Sequence, residues 1–226
     1  MRSHFLVFLI PILLLSCTNE TQTEIDSTEP SPFLKSVRLE RYSVAEGDPD
    51  SITLSTYILR TYNEEGQEAK SVYYSADNSV MMQFENTYQN GNKTQIDWVN
   101  AQGELVKYVK TTFNEKNELI RSESFSPEGE FKSGFIHNWK EDGRVEEKGP
   151  IEEDKPFKPN AIYFYNSKED MIRLEEFDVN DSLYAIFQWK YLKYDDNGNW
   201  TEREMAFNDT LTRVEKREIE YDSSGI

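Results

Sequence analysis

The chain has 226 residues, 37% of them hydrophobic and 30% charged, with a formal net charge of -17. That length suits one domain or one repeat array. So acidic a surface repels phosphate backbones and anionic head groups, which excludes nucleic acid as a partner and a basic patch as a membrane anchor.

Aromatic residues reach 13%, which argues against wholesale disorder. Rings rather than aliphatic side chains must supply much of the core, as suits thin sheets.

At the N-terminus Arg2 precedes an apolar run over residues 5–15. The run is too short for a bilayer-spanning helix, which needs about 20 residues. It ends in Leu14-Leu15-Ser16-Cys17, which resembles the bacterial lipobox: an aliphatic residue, a small residue, then the cysteine that is acylated. The resemblance implies a lipoprotein signal peptide over 1–16 and lipidation at Cys17. It implies attachment to the membrane through that lipid, and a place in the bacterial cell envelope, on the periplasmic or surface-exposed face of the outer membrane. Cys17 is the chain's single cysteine, so no intrachain disulfide can form. Residues 17–33 are polar and acidic and read as a disordered tether.

From residue 34 the pattern changes to period two. Ile52, Leu54, Thr56 and Ile58 alternate with polar neighbours, and so do Phe187, Trp189 and Tyr191. Such alternation predicts half-buried strands, and helical periodicity is not sustained anywhere in this region. Turn formers punctuate the strands: Gly66, Asp77, Gly91, Gly103, Asn117, Gly129 and Gly143 fall about 11 to 14 residues apart. Two such intervals make a hairpin unit of about 26 residues, the period of a repeat array. Residues 149–160 break the alternation with Pro150, Pro156 and Pro159 and read as an elongated turn.

Tyr194-Asp195-Asp196-Asn197-Gly198-Asn199-Trp200 resembles the core of YD (RHS-type) repeats, and Tyr221 to Gly225 resembles its opening half. Weaker units such as Tyr62 to Gly66 and Trp139 to Gly143 resemble MORN-like variants. The expected fold is therefore all-β: an antiparallel β-hairpin repeat array over 34–226, an extended meander or coiled sheet. Its repeat turns are Gly66, Gly103, Gly129, Gly143, Gly198 and Gly225. The resemblance implies repeats without catalytic residues.

The candidate chemistry is thin. Asp195, Asp196, Asn197 and Asn199 surround Gly198 as oxygen ligands surround calcium, but the spaced acidic pattern of a calcium loop is missing, and a hairpin turn explains them. Glu152/Glu153 and Glu175/Glu176 are adjacent, so on a strand they face opposite sides and do not converge. His137 is the only histidine after the signal segment, which rules out a three-histidine zinc site, and no G-x-S-x-G elbow accompanies it. No metal, cofactor or catalytic residue is expected. Trp98, Trp139, Trp189 and Trp200 form a candidate platform for a protein or glycan ligand, against the simpler reading that they fill the sheet interior.

The function expected is that of a non-catalytic, membrane-anchored envelope lipoprotein, a binding or display scaffold. The alternatives are an immunity or antitoxin-like protein that neutralises a basic partner, and a carboxylate-based envelope hydrolase.

Overall fold

The computed structural model describes residues 33–140, 143–152 and 155–222. The signal peptide, Cys17, the tether up to residue 32, and Gly225 lie outside these residues. Among the described residues all regular structure is β, in fourteen strands: β1 (Phe33–Ala45), β2 (Asp48–Tyr62), β3 (Glu68–Ser75), β4 (Val80–Gln89), β5 (Asn92–Asn100), β6 (Leu105–Phe113), β7 (Leu119–Phe125), β8 (Phe131–Trp139), β9 (Val145–Pro150), β10 (Ala161–Tyr165), β11 (Met171–Phe177), β12 (Leu183–Tyr194), β13 (Trp200–Phe207) and β14 (Thr210–Asp222). Each strand pairs antiparallel with its sequence neighbours, and β1 pairs with β14, so the sheet closes into an up-and-down barrel.

Closure corrects the expectation of an open or coiled hairpin array. The first and last strands have 13 residues each and run side by side from Phe33↔Asp222 to Ser43↔Arg213. Two long edges that would otherwise expose a row of unpaired amides and carbonyls satisfy one another instead.

The turns explain the sequence rhythm. In most of them an Asn, Asp or Ser opens the loop and a residue in the left-handed region stands three positions later. At the β12–β13 turn, Asp195 Oδ1 accepts from the amides of Asn197 (3.0 Å) and Asn199 (2.8 Å), and Gly198 has φ +81°. Asn63, Asn100, Asn114, Asn166 and Asp178 open their turns in the same way, each side-chain oxygen accepting from the amide four residues on. Gly66, Gly103, Gly129 and Gly143 all have positive φ, and Asn117, Glu169 and Asp181 hold the equivalent place without glycine. The Asp-x-x-Gly-Asn string is thus the local chemistry of a hairpin loop, recurring because an up-and-down barrel needs a tight loop at every strand end. The elongated segment between β9 and β10 lies against the outer wall. A Cβ at Gly149 would stand 2.2 Å from the Lys158 carbonyl oxygen, and one at Gly134 would stand 2.5 Å from Ile151 Cδ1.

The alternation of the strands separates two surfaces. Outward positions carry charge at mid-strand, in pairs such as Lys70–Glu85 (2.9 Å), Arg121–Glu123 (2.8 Å) and Arg173–Glu175 (2.6 Å). A barrel that crosses a bilayer carries instead an outward apolar band about 25 Å tall. Inward positions hold three apolar clusters: Leu39, Ile58 and Trp200; Phe84, Ile96 and Val109; and Tyr163, Met171, Leu174, Trp189 and Met205 with Ala161.

A candidate ligand-binding lumen

Eight strands make a barrel whose interior side chains just fill, whereas 16 to 18 leave an aqueous channel. Fourteen fall between. Tyr62, Tyr73, Met82, Trp98, Tyr191, Arg213 and Arg217 share the inward face with the fully buried Leu39, Ile58 and Glu215 yet keep part of their surface exposed. These side chains face the barrel interior without being fully buried.

All four tryptophans point inward; Trp189 and Trp200 are buried in the core, and Trp98 and Trp139 are half-buried. Trp98 packs edge-on to Phe84 at 4.8 Å, carries the Lys107 ammonium over its ring at 3.5 Å, and has a buried Nε1 without a hydrogen-bond partner. Trp139 donates from Nε1 to the Leu119 carbonyl at 2.9 Å and stacks on Tyr165. Trp189 sits in the Met171–Met205 cluster. Trp200 lies with the Arg217 guanidinium 3.5 Å and the Arg203 guanidinium 4.2 Å from its ring centroid.

Around Trp200 the polarity of the chain inverts. Arg41, Arg60, Arg203, Arg213 and Arg217 face inward, and Glu68 and Glu215 are the carboxylates among them. Glu215 is the hub. Its Oε2 accepts from Arg203 Nε at 2.6 Å and its Oε1 from Arg41 Nε at 3.1 Å, while Arg213 stands 3.8 Å away. Burial by itself would raise this carboxyl, but Arg203, Arg41 and Arg213 outweigh burial and hold it down at about 2. Arg203 also donates to the Tyr191 hydroxyl at 2.9 Å. Arg217 has no such partner: its Nε is buried without a hydrogen bond, and burial together with Arg60 and Arg203 pushes its guanidinium down to about 9.

A second polar cluster lies across β7 to β10. The Ser122 hydroxyl stands 3.0 Å from His137 Nε2, His137 Nδ1 stands 2.5 Å from Glu146 Oε1, and the Tyr165 hydroxyl donates to Glu146 Oε2 at 2.9 Å. A carboxylate can only accept, so His137 Nδ1–H donates to Glu146 and Nε2 is free to accept the Ser122 proton. That order is the one a nucleophilic serine requires. Burial and the Glu146 charge push the Tyr165 phenol upward.

No family profile matches the chain, and no curated protein sequence matches it. Solved structures do. A porin-like protein from Bacteroides uniformis superposes with a TM-score of 0.51 at 12% identity, covering 84% of this chain and 99% of that one. The likeness is one of fold. A putative outer membrane lipoprotein-sorting protein domain from Vibrio parahaemolyticus aligns at a TM-score of 0.40 and 14% identity over 84% of this chain and 86% of its own. A DUF1329 family protein from Desulfovibrio piger aligns at 0.36 and 9% identity over 84% and 87%. The resemblance to YD, RHS-type or MORN repeats is thereby overturned. The fold shared with the Bacteroides protein is a barrel rather than a repeat array, and the motif that suggested otherwise is turn chemistry.

The sequence reading named the four tryptophans and His137. It missed the arginine cluster, Glu215, and the partners Ser122 and Glu146. The one available signal was Arg213-x-Glu215-x-Arg217, a period-two string that puts three charges on one face of β14. The other face of that strand carries Lys216, Glu218 and Glu220, so neither face stood out as the inner one.

Proposed function

We propose that this chain is a water-exposed, ligand-binding barrel of the bacterial cell envelope that takes an amphipathic molecule into its lumen. One observation supports this most: the inward face is aromatic, apolar and cationic and keeps accessible surface, while the outward face is acidic and charged at mid-strand. Apolar ligands are held in this way by concave sites lined with aromatic side chains and a few fixed polar groups. Envelope placement and lipid anchoring are supported by the Leu14-Leu15-Ser16-Cys17 string. Binding is non-catalytic in this reading.

The test is a titration of the full chain with N-phenyl-1-naphthylamine, an apolar probe that brightens out of water. Saturable binding at one site per chain, with quenching of tryptophan emission, supports the reading. Linear, unsaturable fluorescence contradicts it.

A second reading rests on the Ser122–His137–Glu146 geometry, which has the order of an acyl-transfer relay. It makes the barrel an esterase for the same class of ligand. Labelling of wild type but not of Ser122→Ala by an alkyl fluorophosphonate supports it, and equal labelling of both removes it.

A further inference from the structure

The lumen holds more positive charge than its own carboxylates neutralise, and the excess gathers at one place. Glu68 Oε2 lies 3.4 Å from Arg60 Nη1, and no other ion pair engages Arg60 among the described residues. Arg217 and Lys93 make none among the described residues. Arg60 is 6% exposed and Lys93 7%. The Nε atoms of Arg60 and Arg217 are both buried without a hydrogen-bond partner.

Register brings these groups together. Arg217 on β14 and Ile58 on β2 flank Leu39 of β1 from its two sides, and Arg60 is the next inward residue after Ile58. Glu68 and Lys93 open β3 and β5 at the same end of the barrel, next to the β2–β3 and β4–β5 turns. Burial lowers Lys93, against the pull of Glu68, and Arg60 lowers it further. Arg60 and Lys93 thus share Glu68, while Arg217, beside Arg60, has near it only Glu215, already engaged by Arg203 and Arg41, in a place where an unpaired charge is costly. Stacking on Trp200 holds the Arg217 guanidinium in position without neutralising it.

We propose that Arg60, Arg217 and Lys93 form the receiving site for the anionic group of the ligand, a carboxylate or a phosphate monoester. The proposal rests on the lumenal-binding reading above and adds the chemistry of the head. The aromatic wall takes the apolar tail, and the guanidinium of Arg217, with its free donors, accepts the oxygens of the anion.

The experiment is a displacement of N-phenyl-1-naphthylamine from the full chain by dodecyl phosphate, dodecanoate, dodecanol and inorganic phosphate, below the aggregation concentration of each amphiphile. Wild type is expected to bind the two anionic amphiphiles at least tenfold more tightly than dodecanol. In Arg217→Met that preference should fall below threefold with a melting temperature equal to or above wild type, because a guanidinium whose buried Nε has no partner has gone. Lys93→Met should lose a smaller part of the preference and serves as the second variant should Arg217→Met fail to fold. Displacement by inorganic phosphate would support the site with a free anion as its ligand. Lack of it, with dodecyl phosphate bound tightly, would support the site with an amphiphile head group. Equal affinity of wild type for dodecanol and dodecyl phosphate would overturn the proposal while leaving the lumen reading intact. Failure of the naphthylamine itself to bind would overturn the lumen reading.

Discussion

Replacing Glu215 by Gln removes the one carboxylate that Arg203, Arg41 and Arg213 share, and leaves three guanidiniums facing one another inside the barrel. The carboxyl is held at about 2 against an ordinary 4.5. That depression corresponds to about 3 kcal/mol. Its side chain is only 2% exposed, so solvent screens little of this. Breaking a buried pair by removing one partner costs about 3–5 kcal/mol in general, which agrees. For a domain of this size the melting temperature should fall by about 6–12 °C, at roughly 2–4 °C per kcal/mol. The pH dependence has a definite sign. The folded pKa lies below the unfolded one, so the stabilisation is present above about pH 4.5 and is lost as pH falls towards 2. Urea unfolding of wild type should therefore show an acid limb over that window, and the same experiment on Glu215→Gln should show a lower plateau and a shallower limb. A loss under about 1 kcal/mol with an unchanged acid limb would refute the hub role of Glu215.

Three further outcomes can be checked, two from the structure and one from the sequence. Gly149→Ala should destabilise by about 1–3 kcal/mol in urea, since the new methyl meets the Lys158 carbonyl, which is backbone and cannot swing aside. Ile58→Ala, at a fully buried position between Leu39 and Trp200, should cost about 2–5 kcal/mol in the same assay. Cys17→Ala in the full-length protein should abolish labelling by a radioactive or alkynyl fatty acid, and normal labelling would remove the anchor from the proposal.

The all-β character was legible because alternation is a local property. Ile52, Leu54, Thr56 and Ile58 announce a strand whether or not the sheet closes. The turns were legible for the same reason: Asn63 to Gly66 and Asp195 to Gly198 complete their hydrogen bonds within five residues. Closure is different in kind. It depends on β1 meeting β14, about 180 residues away along the chain, and nothing in the composition of either strand says which edge it will find. The regular turn spacing suited an array and a barrel equally well, and the Tyr-Asp motif tipped the reading towards the array.

The interior charge was hidden for a related reason. A chain of net charge -17 gives the impression of acidity throughout, yet Arg41, Arg60, Arg203, Arg213 and Arg217 are placed inward by strand parity. Arg60 stands in sequence between an apolar residue, Leu59, and a polar one, Thr61, and only the pairing Val37↔Arg60 places it inside. His137 was visible as a lone histidine, but its partners are 15 residues before it and 9 after it, on the two adjacent strands. Such pairs become neighbours only once the register is known.

That the barrel's interior receives an amphipathic anion is tested most directly by calorimetric titration of the full chain with dodecyl phosphate at several temperatures and two salt concentrations. Saturable one-to-one binding is expected, with a negative heat-capacity change from burial of the tail and weaker affinity at high salt from screening of the head. Heat that merely scales with added amphiphile, without saturation or salt dependence, would contradict it.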